Sequence, residues 1–243
     1  MDLFLAAKEG RIDMIEFLVK NGADVNATKP ITPGLWPRMC PIHIACKFRQ
    51  IDAVNKLIEL GCRLDFSNTR CRNPISELTT NYDTKYQNAR DIGILDILIA
   101  NGCPLIPSST LDYSPMYEAI NMNNPEIAKK LADYGAEIDN KTFGWVLGTG
   151  NDDLIQHFIG HGCDINSKNE KGQTRLLKYI FGISSAETFL KNTIDRRYYQ
   201  RLLKHGADPN ICDNDGFGIF NPGERYPKDF QNYVQKYLEE ISH

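Results

Sequence analysis

The sequence predicts an all-α fold, an array of six helix pairs joined by short hairpins and running almost end to end. Three observations carry this. A hexad of glycine, a small residue, usually an aliphatic and Asn or Asp recurs as NGADVN (21–26), LGCRLD (60–65), NGCPLI (101–106), YGAEID (134–139), HGCDIN (161–166) and HGADPN (205–210). An amphipathic helix precedes every copy, and a second, shorter helical segment precedes that one. Repeat arrays present an extended surface and seldom enclose a pocket, so the pattern points to binding rather than catalysis.

The elements follow in order. Counting back eight, seven, four and three residues from each hexad glycine gives one helical face. In the first copy it is Met14, Ile15, Leu18 and Val19; in the second Ala53, Val54, Leu57 and Ile58; in the third Ile94, Leu95, Leu98 and Ile99. The others are Ile127, Ala128, Leu131 and Ala132, then Leu154, Ile155, Phe158 and Ile159, then Tyr198, Tyr199, Leu202 and Leu203. All are apolar or aromatic. The glycine stops each helix because it takes the left-handed conformation without steric cost. The shorter helices are read at LFLAA (3–7), PIHIAC (41–46), PISELT (74–79), SPMYEA (114–119), TFGWVL (142–147) and TRLLKY (174–179). Proline suits a first helical turn, where its missing N–H has no intrahelical partner anyway. FQNYVQKYLEEI (230–241) predicts a polar-faced C-terminal capping helix, and the hairpin-less start an N-terminal cap, so the expectation is a chain sealed at both ends.

Together these residues resemble the ankyrin repeat, whose pattern of about 33 residues runs D-x-x-G-x-T-P-L-H-x-A-A, a loop, an amphipathic helix and G-A-D-V-N. NGADVN matches the ending, PIHIAC follows the T-P-L-H-x-A core, and NEKGQTRLL (169–177) and DNDGFG (213–218) match the hairpin that opens a repeat. The resemblance covers residues 1–220 and implies an ankyrin solenoid, a single domain with repeats at 1–26, 27–65, 66–106, 107–139, 140–166 and 167–210 and a cap at 211–243. It also implies protein–protein binding through a concave groove lined by hairpin tips and first helices.

The hexad glycines are separated by 39, 41, 33, 27 and 44 residues. Alignment places every irregularity in a connection: an insertion in the hairpin at 28–39, further insertions in the turns at 80–89 and 181–193, and a deletion of most of the hairpin before Lys141. The second helices are expected to keep their length. The inserted turns, with Tyr82, Tyr86, Phe181 and Phe189, are read as extending helices and packing on adjacent units, or as enlarging the groove wall.

Composition narrows the function classes. The chain has 243 residues, 28 basic and 31 acidic, for a net charge of −3. That balance carries no polyanion-binding signature, so nucleic acid is not an expected partner. No apolar run approaches a membrane span, and MDLFLAAKEGRID reads as helix rather than a secretory signal. Seven cysteines, three of them in the small hexad slot, predict a reduced, cytoplasmic chain with no disulfide framework, or one in a host cytosol if it is a secreted effector.

Candidate contact residues come from exposed hairpin positions. Leu35, Trp36, Met39 and Arg38 lie in the inserted hairpin, stiffened by Pro30, Pro33 and Pro37. Trp and Arg are enriched at interface hot spots, so Trp36 and Arg38 are either anchors or, for Trp36, a lid folded back on the neighbouring hairpin. By analogy with the family, Arg70, Arg72, Leu111, Tyr113, Lys168 and Lys171 occupy variable hairpin positions. Arg63, Arg70 and Arg72 with Arg38, Lys47 and Arg49 form either an ordinary solvated edge or a basic patch for an acidic partner. Trp145 is assigned to the core. No catalytic residue and no cofactor is expected; the alternative is a metal-dependent or enzymatic site using His157, His161 and Cys163. The expected partner is another protein, with the free chain a monomer.

Overall fold

The computed structural model describes residues 1–32, 35–66, 73–79, 88–105, 114–181 and 193–220, with Asn232, Lys236 and Glu239. The chain divides into two compact units, Met1–Glu137 and Ile138–His243.

The first unit contains α1 (Leu3–Glu9), α2 (Ile12–Lys20), a hairpin of β1 (Lys29–Thr32) and β2 (Leu35–Met39), then α3 (Pro41–Lys47), α4 (Ile51–Glu59), α5 (Ser76–Thr79), α6 (Asn88–Ala100), α7 (Pro115–Asn121) and α8 (Pro125–Asp133). First helices pack on first helices, α1 on α3, α3 on α5 and α5 on α7. Second helices do likewise, α2 on α4, α4 on α6 and α6 on α8. The core lies between the two layers, with Ile15, Ile42, Leu57, Ile75, Leu78, Ile94 and Leu95 fully buried. The strands pair antiparallel, Lys29 opposite Met39 and Thr32 opposite Leu35, with an irregularity between Pro30 and Thr32.

The second unit contains α9 (Asn140–Thr149), α10 (Asp152–Gly160), α11 (Arg175–Phe181) and α12 (Thr193–Lys204). Here α9 packs on α10 and α12, and α11 on α12, around Phe143, Phe158 and Tyr199. Asn232, Lys236 and Glu239 are helical and exposed, as the polar face of the expected C-terminal helix requires.

The hexad is a Schellman cap in every copy. Its glycine sits at φ between 81° and 93°. The glycine N–H donates to the carbonyl three residues back and the next N–H to the carbonyl five back, as in Gly22 to Val19 (3.0 Å) and Ala23 to Leu18 (3.0 Å). Both orphaned carbonyls belong to the apolar face read from the sequence. A Cβ on any of these six glycines would meet nothing within 4 Å, so the residue is dictated by backbone conformation and not by space. The Asp and Asn of the hexad have separate tasks. Asp24 Oδ1 accepts from Asn26 N (2.8 Å), closing a local turn, and Asn26 Oδ1 accepts from Arg63 N (2.7 Å) in the next repeat. Asp164, Asn166 and Asp208 repeat this in the second unit, at 2.8 Å each.

The predicted helices are present in all six pairs among the described residues. Deletion of one hairpin is visible as Asp139, the end of a hexad, directly capping α9 by accepting from Thr142 N (2.7 Å). Three expectations need correction. The second helices do not keep one length: α6 has 13 residues and α12 has 12, against 9 in α2, α4, α8 and α10, because inserted residues at 88–89 and 193 wind onto the helix ends. Met39 is fully buried rather than exposed, since β2 turns its last residue into the α3 contact. Arg49 belongs to no surface patch. With its backbone at φ 55°, it buries its guanidinium, Nε donating to Asp91 on α6 (2.8 Å), Nη1 to Lys47 O (2.6 Å) and Nη2 to Leu78 O (2.7 Å). Burial raises the Asp91 carboxyl pKa even with this cation against it.

Candidate functional site

In the second unit, the start of α9, the loop at 167–174 and the start of α11 enclose an open cleft of about 440 Å³. Local polar contacts shape each wall. Ser167 Oγ donates to Asn140 Oδ1 (3.2 Å), tying loop to helix. Asn169 Oδ1 accepts from Lys171 N (2.9 Å) and Gln173 N (3.0 Å), and Asn169 N donates to Gln173 O (3.0 Å), closing the predicted hairpin. Thr174 Oγ1 caps α11 by accepting from Leu177 N (3.2 Å). The second predicted hairpin, with Asp213 N bonded to Phe217 O (2.8 Å), stacks on the first through Asn214 N and Lys171 O (3.1 Å).

The cleft is cationic with an aromatic floor. Trp145 is half-buried in it, and Lys141 Nζ lies over the indole, 5.0 Å from the ring centre. Lys168, Arg175 and Lys178 add to the charged lining, and among the described residues that line the cleft none is acidic. Lys168 Nζ donates to Cys212 O (3.2 Å), steadying the hairpin. The Arg175 head lies against α9 at Gly144, where a β-carbon would collide with Nη1 and Cζ. Asp139, the nearby carboxylate, is desolvated by burial, yet its pKa is lowered because it accepts the Thr142 hydrogen bonds that cap α9, with Lys141 and Arg175 adding attraction.

A second cleft, about 380 Å³, opens in the first unit between α1, β1 and α3. Its lining is Phe4, Leu5, Ile44 and Phe48 with Asp2, Lys8 and Lys29. Lys29 Nζ pairs with Asp2 Oδ2 (2.5 Å) and covers Phe4 at 5.6 Å, while Lys8 covers Phe48 at 5.0 Å. Lys29 lowers the Asp2 carboxyl pKa, so one charge in this cleft is already matched. Phe48 remains 41% exposed, leaving an apolar surface with a lysine rim.

Of the sequence-derived contact residues, Lys168 lines the cationic cleft and Lys171 is exposed at the neighbouring hairpin tip. Leu35, Trp36 and Arg38 lie on β2, with side chains outside the described residues, as are Arg70, Arg72, Leu111 and Tyr113 altogether. Trp145 was expected in the core and is instead a cleft residue. The buried face of α9 is Thr142, Phe143, Val146 and Leu147, and Trp145 falls off it, one turn beyond Lys141. That helical offset was the available signal for both residues.

His157 and His161, the histidines of the metal alternative, lie ring against ring, centroids 4.7 Å apart and planes tilted by 42°. Cys163 is half-buried, and burial raises its thiol pKa against a lesser pull from Arg175, which disfavours the thiolate a metal needs. The six described cysteines, Cys40, Cys46, Cys62, Cys103, Cys163 and Cys212, are free thiols. Burial pushes Cys62 and Cys103 up to about 12. Among the described residues no helix is long and apolar enough to cross a membrane.

Comparison with known proteins agrees with the fold. A family described as ankyrin repeats (many copies) matches residues 3–58. The chain is similar to an ankyrin repeat protein of Fowlpox virus (strain NVSL), 28% identical over 138 residues, 56% of this chain and 37% of that protein. It is also similar to a transient receptor potential cation channel subfamily A member 1 homologue of Caenorhabditis elegans, 24% identical over 71% of this chain and 14% of the other. Ankyrin repeat protein nuc-2 of Neurospora crassa is 25% identical over 70% of this chain and 15% of its own length. The chain thus spans well under half of each of these relatives.

Proposed function

The chain belongs to the ankyrin repeat family, whose repeats generally mediate protein–protein interaction, and from that premise we propose that it is a non-catalytic module that docks a partner protein on its first-helix and hairpin faces. The observation that carries this reading is that, among the described residues, each unit has a cleft on these elements: α1, β1 and α3 in one, α9, the hairpin loop and α11 in the other. A pre-shaped surface loses little conformational entropy on binding, so modest contacts suffice. Trp36, Arg38 and Leu35 on the inserted hairpin, with Arg70, Arg72, Leu111, Tyr113 and Lys171, extend the proposed contact set beyond the clefts.

Such a binder acts by covering its partner's surface or by bringing the partner to another molecule, the roles of inhibitor and adaptor, including immunity or effector proteins. A cytoplasmic setting fits the free thiols. The test is affinity capture from the cells that express the protein, repeated with residues 28–39 deleted and with Trp145→Ala. A stable partner lost in either variant supports the reading. Stoichiometric zinc in the purified protein, or capture that ignores both changes, overturns it.

A further inference from the structure

The unit 2 cleft differs from its unit 1 counterpart in charge. In unit 1, Asp2 answers Lys29 within the cleft. In unit 2, Lys141, Lys168, Arg175 and Lys178 line one concavity, with no carboxylate among the described residues that line it, in a chain whose overall charge is −3. The cations are therefore concentrated locally and are not part of a general basic surface. Asp139 is committed to the α9 cap, accepting from Thr142 N at 2.7 Å.

Building on the docking reading above, we propose that this cleft takes an acidic segment of the partner protein, one apolar side chain resting on Trp145 and its neighbouring carboxylates meeting Lys141, Arg175 and Lys178. Charge complementarity selects the occupant. Lys141, Lys168 and Lys178 are exposed and carry their charge to the rim, while Arg175 is half-buried and supplies a planar fork suited to a carboxylate. Trp145 supplies a flat apolar anchor of the type that dominates interface energy. A nucleic acid strand fits less well, since it calls for successive stacking platforms and, among the described residues lining the cleft, Trp145 alone is aromatic.

The probe is a fluorescein-labelled peptide of alternating Glu and Asp around one central Phe, with a Gln and Asn counterpart as control, read by fluorescence anisotropy. The acidic peptide is expected to bind about tenfold more tightly than the neutral one, and Lys141→Glu/Lys178→Glu to weaken it by about tenfold or more. Lys20→Glu/Lys129→Glu, an equal change in net charge on α2 and α8, should leave it unaltered, and Trp145→Ala should weaken both peptides. Circular dichroism on each variant verifies folding. Equal binding of the two peptides, binding indifferent to Lys141→Glu/Lys178→Glu, or no peptide binding at all overturns the acidic assignment. So does an oligothymidylate that binds more tightly through the same cations. Partner capture by the unaltered protein alongside any of these results would leave the docking role standing and remove only the acidic segment.

Discussion

Replacing Asp91 by alanine takes away the carboxylate held 2.8 Å from Arg49 Nε, in a pair whose side chains are each 5% exposed. Breaking a buried ion pair from one side costs about 3–5 kcal/mol, because the surviving charge stays desolvated. Two features place Asp91→Ala at the low end, about 3 kcal/mol. Arg49 keeps its bonds to the carbonyls of Lys47 (2.6 Å) and Leu78 (2.7 Å), and the carboxylate being removed is itself poorly solvated, which is why its pKa is raised. Arg49→Met should cost less, since the stranded carboxyl escapes by taking up a proton. The double variant Arg49→Met/Asp91→Leu should lie within about 1 kcal/mol of wild type, as buried pairs exchanged for apolar groups often do. Urea titration followed by circular dichroism gives the three differences, and amide exchange in α3 and α6 shows where the loss falls. Asp91→Ala within about 0.5 kcal/mol of wild type would refute the reasoning, as would a double variant worse than the sum of the singles.

Further tests concern the caps, the cleft and pH. Gly135→Ala, at φ 81° with no neighbour for the new methyl, should cost about 1 kcal/mol by thermal melting, and Gly135→Asn less; a neutral alanine would deny the left-handed requirement. Gly144→Ala should leave stability equal or higher, since alanine favours a helix interior by about 1 kcal/mol, while displacing Arg175 and weakening the acidic peptide; unchanged peptide binding contradicts the Arg175 placement. Asp152 accepts from Lys204 and His205, and the Lys204 bond, then the His205 bond, lower its pKa. A depressed carboxyl contributes stability that is present above its unfolded value, about 3.9, and is lost as pH falls through the folded one. Asp152→Asn should therefore flatten the acid limb of the stability curve by less than about 1 kcal/mol, the group being partly solvated. Asp91 has the opposite sign: its raised pKa makes its contribution largest in acid and smaller as pH rises through the folded value.

Periodicity exposed the scaffold because each second helix repeats the same apolar offsets and ends on the same left-handed glycine. The paired Asp and Asn of the hexad were visible too, though their division between local turn and inter-repeat bridge required coordinates. Hidden from the sequence was whatever depends on a partner distant in the chain. Arg49 looks like a surface cation until Asp91, 42 residues later, is brought against it. Met39 looks exposed in a proline-rich insertion until β2 delivers it to α3. Trp145 was the converse, a residue whose place in the first helix of the shortened unit suggested core while its position on the α9 wheel placed it in a cleft with Lys141 and Lys178. Inserted residues at 88–89 and 193 lie directly beside existing helices, so part of each insertion lengthened a helix instead of making a loop.

The hexad caps also bear on how such a chain can change over generations. Each cap draws its two closing bonds from carbonyls of its own helix, so ending a repeat asks nothing of the next one. Among the bonds handed forward at that point are those that Asn26 and Asn166 accept from backbone N–H groups of the following repeat, groups that any repeat presents. A unit gained or lost by duplication or deletion in the gene would meet the same geometry at its junction. The exposed surface of such an array can therefore evolve by counting as well as by substitution, with new surface added in whole increments while the joints stay chemically unchanged.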